Sequence, residues 1–116
     1  MHFLCVVHVD RDLVAALSPE QRAVFERENK AYADWLAGSG HSVIHASLHE
    51  PETARLVRAR DGQVTMTDGP YVETKEHLAG LMVLDVEDRD AAIAIAARGP
   101  VARIGTLEVR RMNYGD

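Results

Sequence analysis

The chain has 116 residues, of which 47% are hydrophobic and 27% are charged. This composition is typical of one globular domain and excludes a disordered or fibrous protein, so we predict a single domain over residues 1–116. The formal net charge of −5 argues against nucleic acid as a partner, because phosphate binding depends on dense patches of lysine and arginine.

The cysteine content and the N-terminal segment indicate a cellular compartment. Cys5 is the only cysteine, so an intrachain disulfide is excluded, and its apolar neighbours predict a buried, inert thiol. The chain opens on a short β-type run, with no basic leader, cleavage site or apolar stretch of membrane-spanning length. We therefore expect a cytoplasmic protein with no membrane partner.

The first elements in chain order are a strand, a long helix and a second strand. The β-branched run Phe3–Val9 predicts the first strand. Ser18, followed by a proline and then by Gln21, has the pattern of an N-cap with a capping box, which predicts a helix that ends at Gly38. Alternating residues over Ser42–Leu48 predict the second strand.

A β-hairpin is predicted next, over Ala54–Arg60 and Gln63–Asp68. Asp61 and Gly62 between the two runs form a strong two-residue turn signal, because both central positions of such a turn need positive φ. This turn fixes the register of the hairpin. The predicted pairs are Arg55 with Asp68, Val57 with Met66, and Ala59 with Val64.

The second half of the chain contains a polar loop, a strand, a helix and a last strand. Residues 68–77 are too polar, and too interrupted by a Gly-Pro pair, for regular structure, although Thr74 is placed to cap one short turn. A strand follows over Ala79–Val86, and Asp88 caps an alanine-rich helix that stops at a second Gly-Pro pair. Residues Arg103–Met112 form the last strand.

This order of elements predicts an α+β fold of the ferredoxin-like class, in which a split βαβ unit contains an inserted β-hairpin. The first strand and the strand over Ala79–Val86 are apolar on both sides, so we place them at the centre of the sheet. Two helices cover only one side of a four-stranded sheet, and the uncovered apolar side is larger than soluble monomers tolerate. We therefore predict a homodimer in which two sheets face each other across a shared interior.

The segment after the hairpin resembles a known family. Residues 68–76 have the sequence DGPYVETKE, which is similar to the DGPFAETKE run of the YciI-related DGPF family, with Tyr71 in place of phenylalanine and Val72 in place of alanine. The following strand, the pair Asp85-Val86 and the alanine-rich helix also resemble that family, so the resemblance covers essentially the whole chain. It implies a dimeric α+β barrel.

The resemblance implies less about activity. Some YciI-type relatives are similar to small-molecule lyases or dehalogenating enzymes, and some family members occur beside or fused to sigma factors. A histidine and aspartate pair has been proposed as a site in YciI-type relatives. The first helix of this chain has no histidine, so that pair is not carried over.

Residues 68–76 provide the first set of candidate site residues. Asp68, Glu73, Lys75 and Glu76 place opposite charges close together beside the predicted apolar interior, where desolvation can shift a pKa toward neutrality. Lys75 is one of two lysines against eleven arginines, and an ammonium shifts its pKa more readily than a guanidinium. The alternative is structural, with Asp68 paired across the hairpin and Lys75 in an exposed salt bridge.

The histidines form the second set. His41, His45 and His49 are spaced too far apart along a strand to bind one metal ion, so we predict no metal site. His41 and His45 share one side of that strand, opposite Ile44 and its apolar neighbours. If those neighbours face the helices, both histidines point toward the dimer interior, where His8 joins them. They are then either hydrogen-bonded structural residues or a general base that acts near neutral pH.

Our leading hypothesis is a small-molecule site at the mouth of the barrel that uses no cofactor and performs proton-transfer chemistry such as elimination or isomerisation. The proposed catalytic residues are His45, Asp68 and Lys75, with His45 or Asp68 as the base and Lys75 stabilising a developing anion. The proposed substrate-binding residues are His8, Tyr71, Glu73, Thr74 and Glu76.

Two alternative functions are consistent with the same sequence. One is a non-catalytic regulatory or accessory dimer, linked through the family resemblance to sigma-factor-dependent transcription, whose interior is filled by side chains. The other is a metabolite-binding sensor, which has the cavity but lacks aligned acid and base groups.

Overall fold

The computed structural model describes residues 1–114 of the chain. In chain order the elements are β1 His2–Asp10, α1 Arg11–Ala15, α2 Pro19–Gly38, β2 Ser42–Ser47, β3 Arg55–Arg60, β4 Gln63–Asp68, β5 Glu76–Asp85, α3 Arg89–Ala97 and β6 Thr106–Arg111. Two short 3₁₀ turns, Pro51–Thr53 and Pro100–Arg103, precede β3 and β6. None of the helices in this part of the chain has the length and hydropathy needed to span a bilayer.

The two long helices begin where the sequence places their caps. The Ser18 hydroxyl accepts a hydrogen bond from the Gln21 amide at 3.1 Å, and the Gln21 side chain accepts one from the Ser18 amide at 2.9 Å, which forms the predicted capping box. Asp88 accepts from a backbone amide in the first turn of α3 at 2.8 Å. The short helix α1 was not predicted. Its N-cap is Asp10, whose carboxylate accepts a hydrogen bond from the Asp12 amide at 2.9 Å.

β1 and β5 lie at the centre of a four-stranded antiparallel sheet with the order β2-β5-β1-β6. The helix α2 connects β1 to β2, and α3 connects β5 to β6. This arrangement is the predicted ferredoxin-like split βαβ fold. The two central strands are the ones that carry apolar residues on both sides, as the sequence indicated.

The strands β3 and β4 form a separate two-stranded sheet, which we name the hairpin arm, residues Arg55–Asp68. The arm is inserted between the two halves of the split βαβ unit, and all three predicted residue pairs are present in its register. Asp61 and Gly62 at its turn have φ of 52° and 75°, so the Asp-Gly pair adopts the positive φ angles that this turn needs.

The core lies between the helices and one side of the main sheet, which we name the covered face. Phe3, Cys5, Met82 and Leu84 are each exposed by 2% or less and pack with Leu36 of α2. Burial raises the pKa of the Cys5 thiol to about 11, which keeps the thiol protonated and unreactive near neutral pH.

The other side of the sheet, which we name the open face, carries a second set of apolar residues. The pairing places Leu4 opposite Val83 and Val6 opposite Leu81 on this side, because their neighbours along each strand point into the core. Leu4, Val6 and Leu81 are only half-buried in one subunit. The apolar surface that the sequence predicted on the far side of the sheet is therefore present.

β2 is turned the other way from the prediction. His45 lies opposite the core residue Met82 on the covered face, and Ile44 lies opposite Val83 on the open face. The register of β2 shifts between Ser42 and Ile44, and a slip of one residue exchanges the two sides of a strand. The expectation that the apolar residues of β2 face the helices, with His45 toward a dimer interior, is therefore wrong.

Residues 69–75, between β4 and β5, form an irregular segment that we name the connecting loop. The strand β5 begins at Glu76, earlier than the predicted start at Ala79. The short turn that Thr74 is placed to cap in the sequence does not form within residues 69–75. The Thr74 hydroxyl instead donates to the backbone carbonyl of Glu76, and so holds the loop against the start of β5.

Candidate functional site

The connecting loop is held at its start by the base of the hairpin arm. The Gly69 amide donates to the Ala54 carbonyl at 3.0 Å. A Cβ at position 69 would lie 3.3 Å from both the Ala54 Cβ and a Leu56 methyl group, so glycine allows this close approach. The glycine of the DGP motif thus fixes where the rest of the loop runs.

A cleft of about 600 Å³ opens between the connecting loop, the segment after β2 and the adjoining ends of β1 and β5. We name it the histidine cleft. Its polar side chains include His8, His49, His77, Tyr71 and Thr74. Leucines, prolines, an alanine and a valine from the same segments supply much of the remaining wall. The cleft therefore combines an apolar surface with several groups that can exchange a proton or a hydrogen bond.

His8 gives the histidine cleft its position relative to the sheet. Its neighbour Val7 pairs with Leu107, which packs against the core, so the alternation of β1 directs His8 to the open face. Within residues 1–114, no three histidine, cysteine, aspartate or glutamate side chains are arranged to hold a metal ion. An imidazole can act as an acid–base group or as a hydrogen-bonding group.

A second cleft of about 430 Å³ adjoins the histidine cleft, and we name it the charged cleft. The two clefts share the lining residues Pro51, Pro70, Val72, Thr74 and His77. Its side chains include Asp10, Arg11, Glu52, Glu73 and Lys75. The Arg11 guanidinium donates to the Glu52 carboxylate, and this hydrogen bond lowers the pKa of Glu52. Four carboxylates, including Asp12, line this cleft against two cations, so its lining carries a net negative formal charge.

Asp10 anchors the charged cleft, and within the described residues it is the one charged side chain that is buried, at 3% exposure. One carboxylate oxygen accepts from the backbone amide of Asp12, and the other lies 3.8 Å from the Lys75 ammonium nitrogen. A buried carboxylate needs such partners to offset its lost hydration. Lys75 therefore connects the connecting loop to the end of β1.

The structure groups five of the predicted site residues around the connecting loop. His8, Tyr71 and Thr74 line the histidine cleft. Glu73 and Lys75 line the charged cleft, and Thr74 contributes to that cleft as well. The loop thus contributes residues to both clefts, with Tyr71 in the histidine cleft alone and Glu73 and Lys75 in the charged cleft alone.

Asp68 and Glu76 are not among the residues that line either cleft. The Asp68 side chain is 91% exposed and lies 3.4 Å from the Arg55 guanidinium, which is the structural pairing that the hairpin register predicted. The Glu76 carboxylate accepts a hydrogen bond from the Thr106 hydroxyl at 2.7 Å and so links β5 to β6. Strand pairing, rather than the loop, determines where these two carboxylates point.

His45 is separated from the other candidates by the sheet itself. It lines a cleft of about 530 Å³ on the covered face, together with Tyr32 of α2 and the core residue Met82. Its ring centroid lies 6.1 Å from that of Tyr32, with the rings nearly perpendicular at 87°. Burial lowers the pKa of His45, so its imidazole is neutral at pH 7.

Asp10, His49 and His77 line the two clefts but were not predicted as site residues. His49 was considered only as a metal ligand and was rejected because of its spacing. An aspartate directly after a strand and a histidine directly after the DGPYVETKE motif are the sequence signals that could have identified Asp10 and His77.

Two comparisons with known proteins match the chain over most of its length. The profile of the YCII-related domain matches residues 1–113. A similar solved structure is the 5-chloro-2-hydroxyhydroquinone dehydrochlorinase of Burkholderia phenoliruptrix AC1100 in complex with 2,5-dihydroxybenzoquinone, at 14% identity and a TM-score of 0.58, covering 99% of this chain and 96% of that chain. At this identity the likeness shows a shared fold. No protein with a curated description matches the sequence.

Proposed function

Since this chain belongs to the YCII-related domain family, we propose that it binds a small molecule in the histidine cleft and performs cofactor-independent proton transfer there, as a lyase or isomerase. The observation that carries the proposal is the convergence of His8, His77 and Tyr71 on a largely apolar cleft of about 600 Å³. Such a cleft can exclude water from a substrate while it keeps a proton acceptor within reach.

A histidine base is the centre of the proposed reaction. The unprotonated nitrogen of His8 or His77 removes a proton from a substrate carbon next to a carbonyl group. In an elimination, the electron pair of the broken C–H bond forms a C=C bond while the leaving group departs with its own bonding pair. In an isomerisation, the imidazolium returns the proton to a different carbon. Tyr71 donates a hydrogen bond to the carbonyl oxygen as negative charge develops on it.

Lys75 has a positioning role in this proposal. Its ammonium lies 3.8 Å from the buried carboxylate of Asp10, in the charged cleft, and Lys75 is not among the residues that line the histidine cleft. The ion pair holds the loop that presents Tyr71 and Thr74, rather than stabilising a substrate anion directly. Lys75 thus changes from the catalytic role that the sequence suggested to a role in loop placement.

The dehydrochlorinase of similar fold suggests a substrate class. Its name describes the removal of HCl from a hydroxylated ring, which is an elimination, and its structure contains 2,5-dihydroxybenzoquinone. A flat ring that bears oxygen atoms suits the histidine cleft, because apolar walls contact the ring and the histidine, tyrosine and threonine side chains reach the oxygens. We propose a hydroxylated aromatic or quinone-like substrate.

The proposed functional unit is a homodimer in which the two open faces enclose a shared interior. Half-buried apolar side chains on the open face support this arrangement, because a second sheet is the simplest cover for them. The histidine cleft opens at the end of this face, so it would lie at the rim of the interior. We expect sedimentation at micromolar concentration to give twice the 12.8 kDa mass of one chain.

The binding experiment uses 2,5-dihydroxybenzoquinone and a set of hydroxylated aromatic compounds as probes, with affinities measured by calorimetry. We expect His8→Gln to weaken binding by about tenfold or more, since a hydrogen-bonding group in the cleft is lost. The matched control is His45→Gln, which changes a histidine on the opposite face of the sheet and should leave the affinity unchanged. Equal binding by wild type and His8→Gln would remove the histidine cleft from the proposal.

The reaction is tested separately from binding. In D₂O, an isomerisation or a reversible proton removal incorporates deuterium into the compound, and an elimination releases its leaving group. NMR detects both changes, and His8→Gln together with His77→Gln should abolish them. Binding with neither change supports the metabolite sensor instead. If neither the probes nor a metabolite extract binds, the accessory dimer becomes the better hypothesis.

A further inference from the structure

Within the described residues, the hairpin arm carries three of the four most exposed large hydrophobic side chains. Val57, Val64 and Met66 are 67%, 72% and 65% exposed. Val57 pairs directly with Met66, and Ala59 with Val64, so all four side chains project from one side of the arm. This side of the arm is therefore apolar over these two pairs, and the ion pair of Arg55 with Asp68 lies on the same side at the base of the arm.

The other side of the arm is polar apart from Leu56, which lies at the base of the arm near Gly69. The pairs on that side include Arg58 with Thr65 and Arg60 with Gln63. A strand alternates apolar and polar residues when one of its sides is buried and the other is hydrated. The sequence of the arm thus has the pattern of a half-buried sheet, yet its apolar side faces solvent in the single subunit. A two-stranded sheet without such cover is only marginally stable in water.

The dimensions of the subunit indicate that a large surface is left uncovered in the single chain. Its Cα radius of gyration is 16.2 Å, whereas a compact chain of this length has one of about 13 Å. The accessible surface of the subunit is 8075 Å², and a compact monomer of this mass exposes about 6,300 Å². The excess accessible surface is at least as large as the area that each partner buries in a stable dimer, about 800 Å².

We propose that the apolar side of the hairpin arm packs against a second copy of this chain, so that each subunit holds its partner with its own arm. The inference rests on the homodimer of the proposed function and names the segment that secures it. A two-fold axis uses the same patch twice, so one apolar arm per chain gives two identical contacts per dimer.

The position of the arm favours a second copy over an unrelated partner. Ala54 immediately precedes the arm, Pro70 follows it closely, and both residues line the histidine cleft. The arm thus emerges at the end of the open face, where the proposed dimer interior begins. An arm that starts at the rim of an interface between two copies is placed to reach across that interface.

The experiment introduces a charge on one side of the arm at a time. We expect Val64→Glu to raise the dimer dissociation constant by about tenfold or more in sedimentation equilibrium, because the same carboxylate is buried at both contacts. Thr65→Glu is the matched control, since it adds the same charge at the adjacent residue on the polar side. We expect this control to dimerise like wild type. Circular dichroism of each variant verifies the fold.

Hydrogen exchange gives a second readout that a merely destabilised arm would not reproduce. We expect the amides of residues 55–68 to exchange faster when wild type is diluted below its dissociation constant, while amides of β1 stay protected. A monomeric wild type would overturn the proposed homodimer itself. A dimeric wild type whose mass and exchange are unchanged by Val64→Glu would overturn the arm contact alone.

Discussion

The two faces of the main sheet are built from the same strands but have different surroundings. On the covered face, Phe3 and Leu84 are sealed beneath α2 and α3. On the open face, Val6 and Leu81 have similar side chains but are only half-buried. The difference shows that the apolar residues of β1 and β5 divide into a core within the subunit and a second set that one subunit leaves partly uncovered.

The position of the candidate site follows from this difference. The core residues of the covered face, such as Cys5, are buried within the subunit. The histidine cleft opens at the end of the open face, where a ligand or a second subunit can still approach. Function is therefore expected where apolar side chains are present but not yet covered.

The largest expected effect compares a leucine on each face. Leu84→Ala removes a fully buried side chain, so we expect the free energy of unfolding to fall by about 2–5 kcal/mol. Leu81→Ala should lower the free energy of unfolding by less than this at low protein concentration, where monomers dominate. The loss should be larger at high concentration, where the proposed dimer forms. Urea denaturation at several protein concentrations measures both. Equal, concentration-independent losses would contradict the distinction between the two faces.

Local signals explain what could be predicted from the sequence. The register of the hairpin arm follows from the turn at Asp61 and Gly62, and the start of α2 follows from Ser18 and Gln21. Each of these features depends on residues that are close along the chain, whose backbone geometry has few alternatives. The central position of β1 and β5 also followed, because an apolar pattern on both sides of a strand requires cover on both sides.

The remaining features depend on contacts between distant segments. The side to which His45 points changes with a one-residue shift in the register of β2, and the alternation of apolar residues does not specify that shift. Likewise, the burial of Asp10 depends on α1 and on Lys75 from the connecting loop. The sequence predicted the loop as a site, but not which of its residues would line the histidine cleft and which the charged cleft.

The next largest effect is expected at Asp10, at the end of β1 between the charged cleft and the sheet. Asp10→Ala removes the cap of α1 and the partner of Lys75, so we expect the free energy of unfolding to fall by about 1–2 kcal/mol. Asp10→Asn retains an oxygen for the cap but loses the charge, and should cost less. Thermal unfolding of both variants separates the two contributions, and identical losses would show that the ion pair contributes most of the stability.

A smaller effect is expected at Asp68, whose exposed carboxylate faces Arg55 across the hairpin arm. Asp68→Asn should change the free energy of unfolding by less than about 1 kcal/mol, because exposed ion pairs contribute little. It should also leave ligand affinity unchanged, because Asp68 is not among the residues that line the histidine cleft. Calorimetry with the same probe compounds measures the affinity. A tenfold loss would restore Asp68 as a site residue and show that the arm moves on binding.

The smallest effect is expected at His45, on the covered face. Burial lowers the pKa of this imidazole below its ordinary value of 6.5, so the folded state binds the proton less tightly than the unfolded state does. The contribution of His45 to stability is therefore fully present above pH 6.5 and decreases as the pH falls from that value toward the lowered pKa. An NMR titration of the ring should show a midpoint below 6.5, and His45→Gln should remove this part of the pH dependence. A midpoint at or above the ordinary value would mean that water or a carboxylate reaches the ring, and that the covered face is more open around β2 than its contact with Tyr32 indicates.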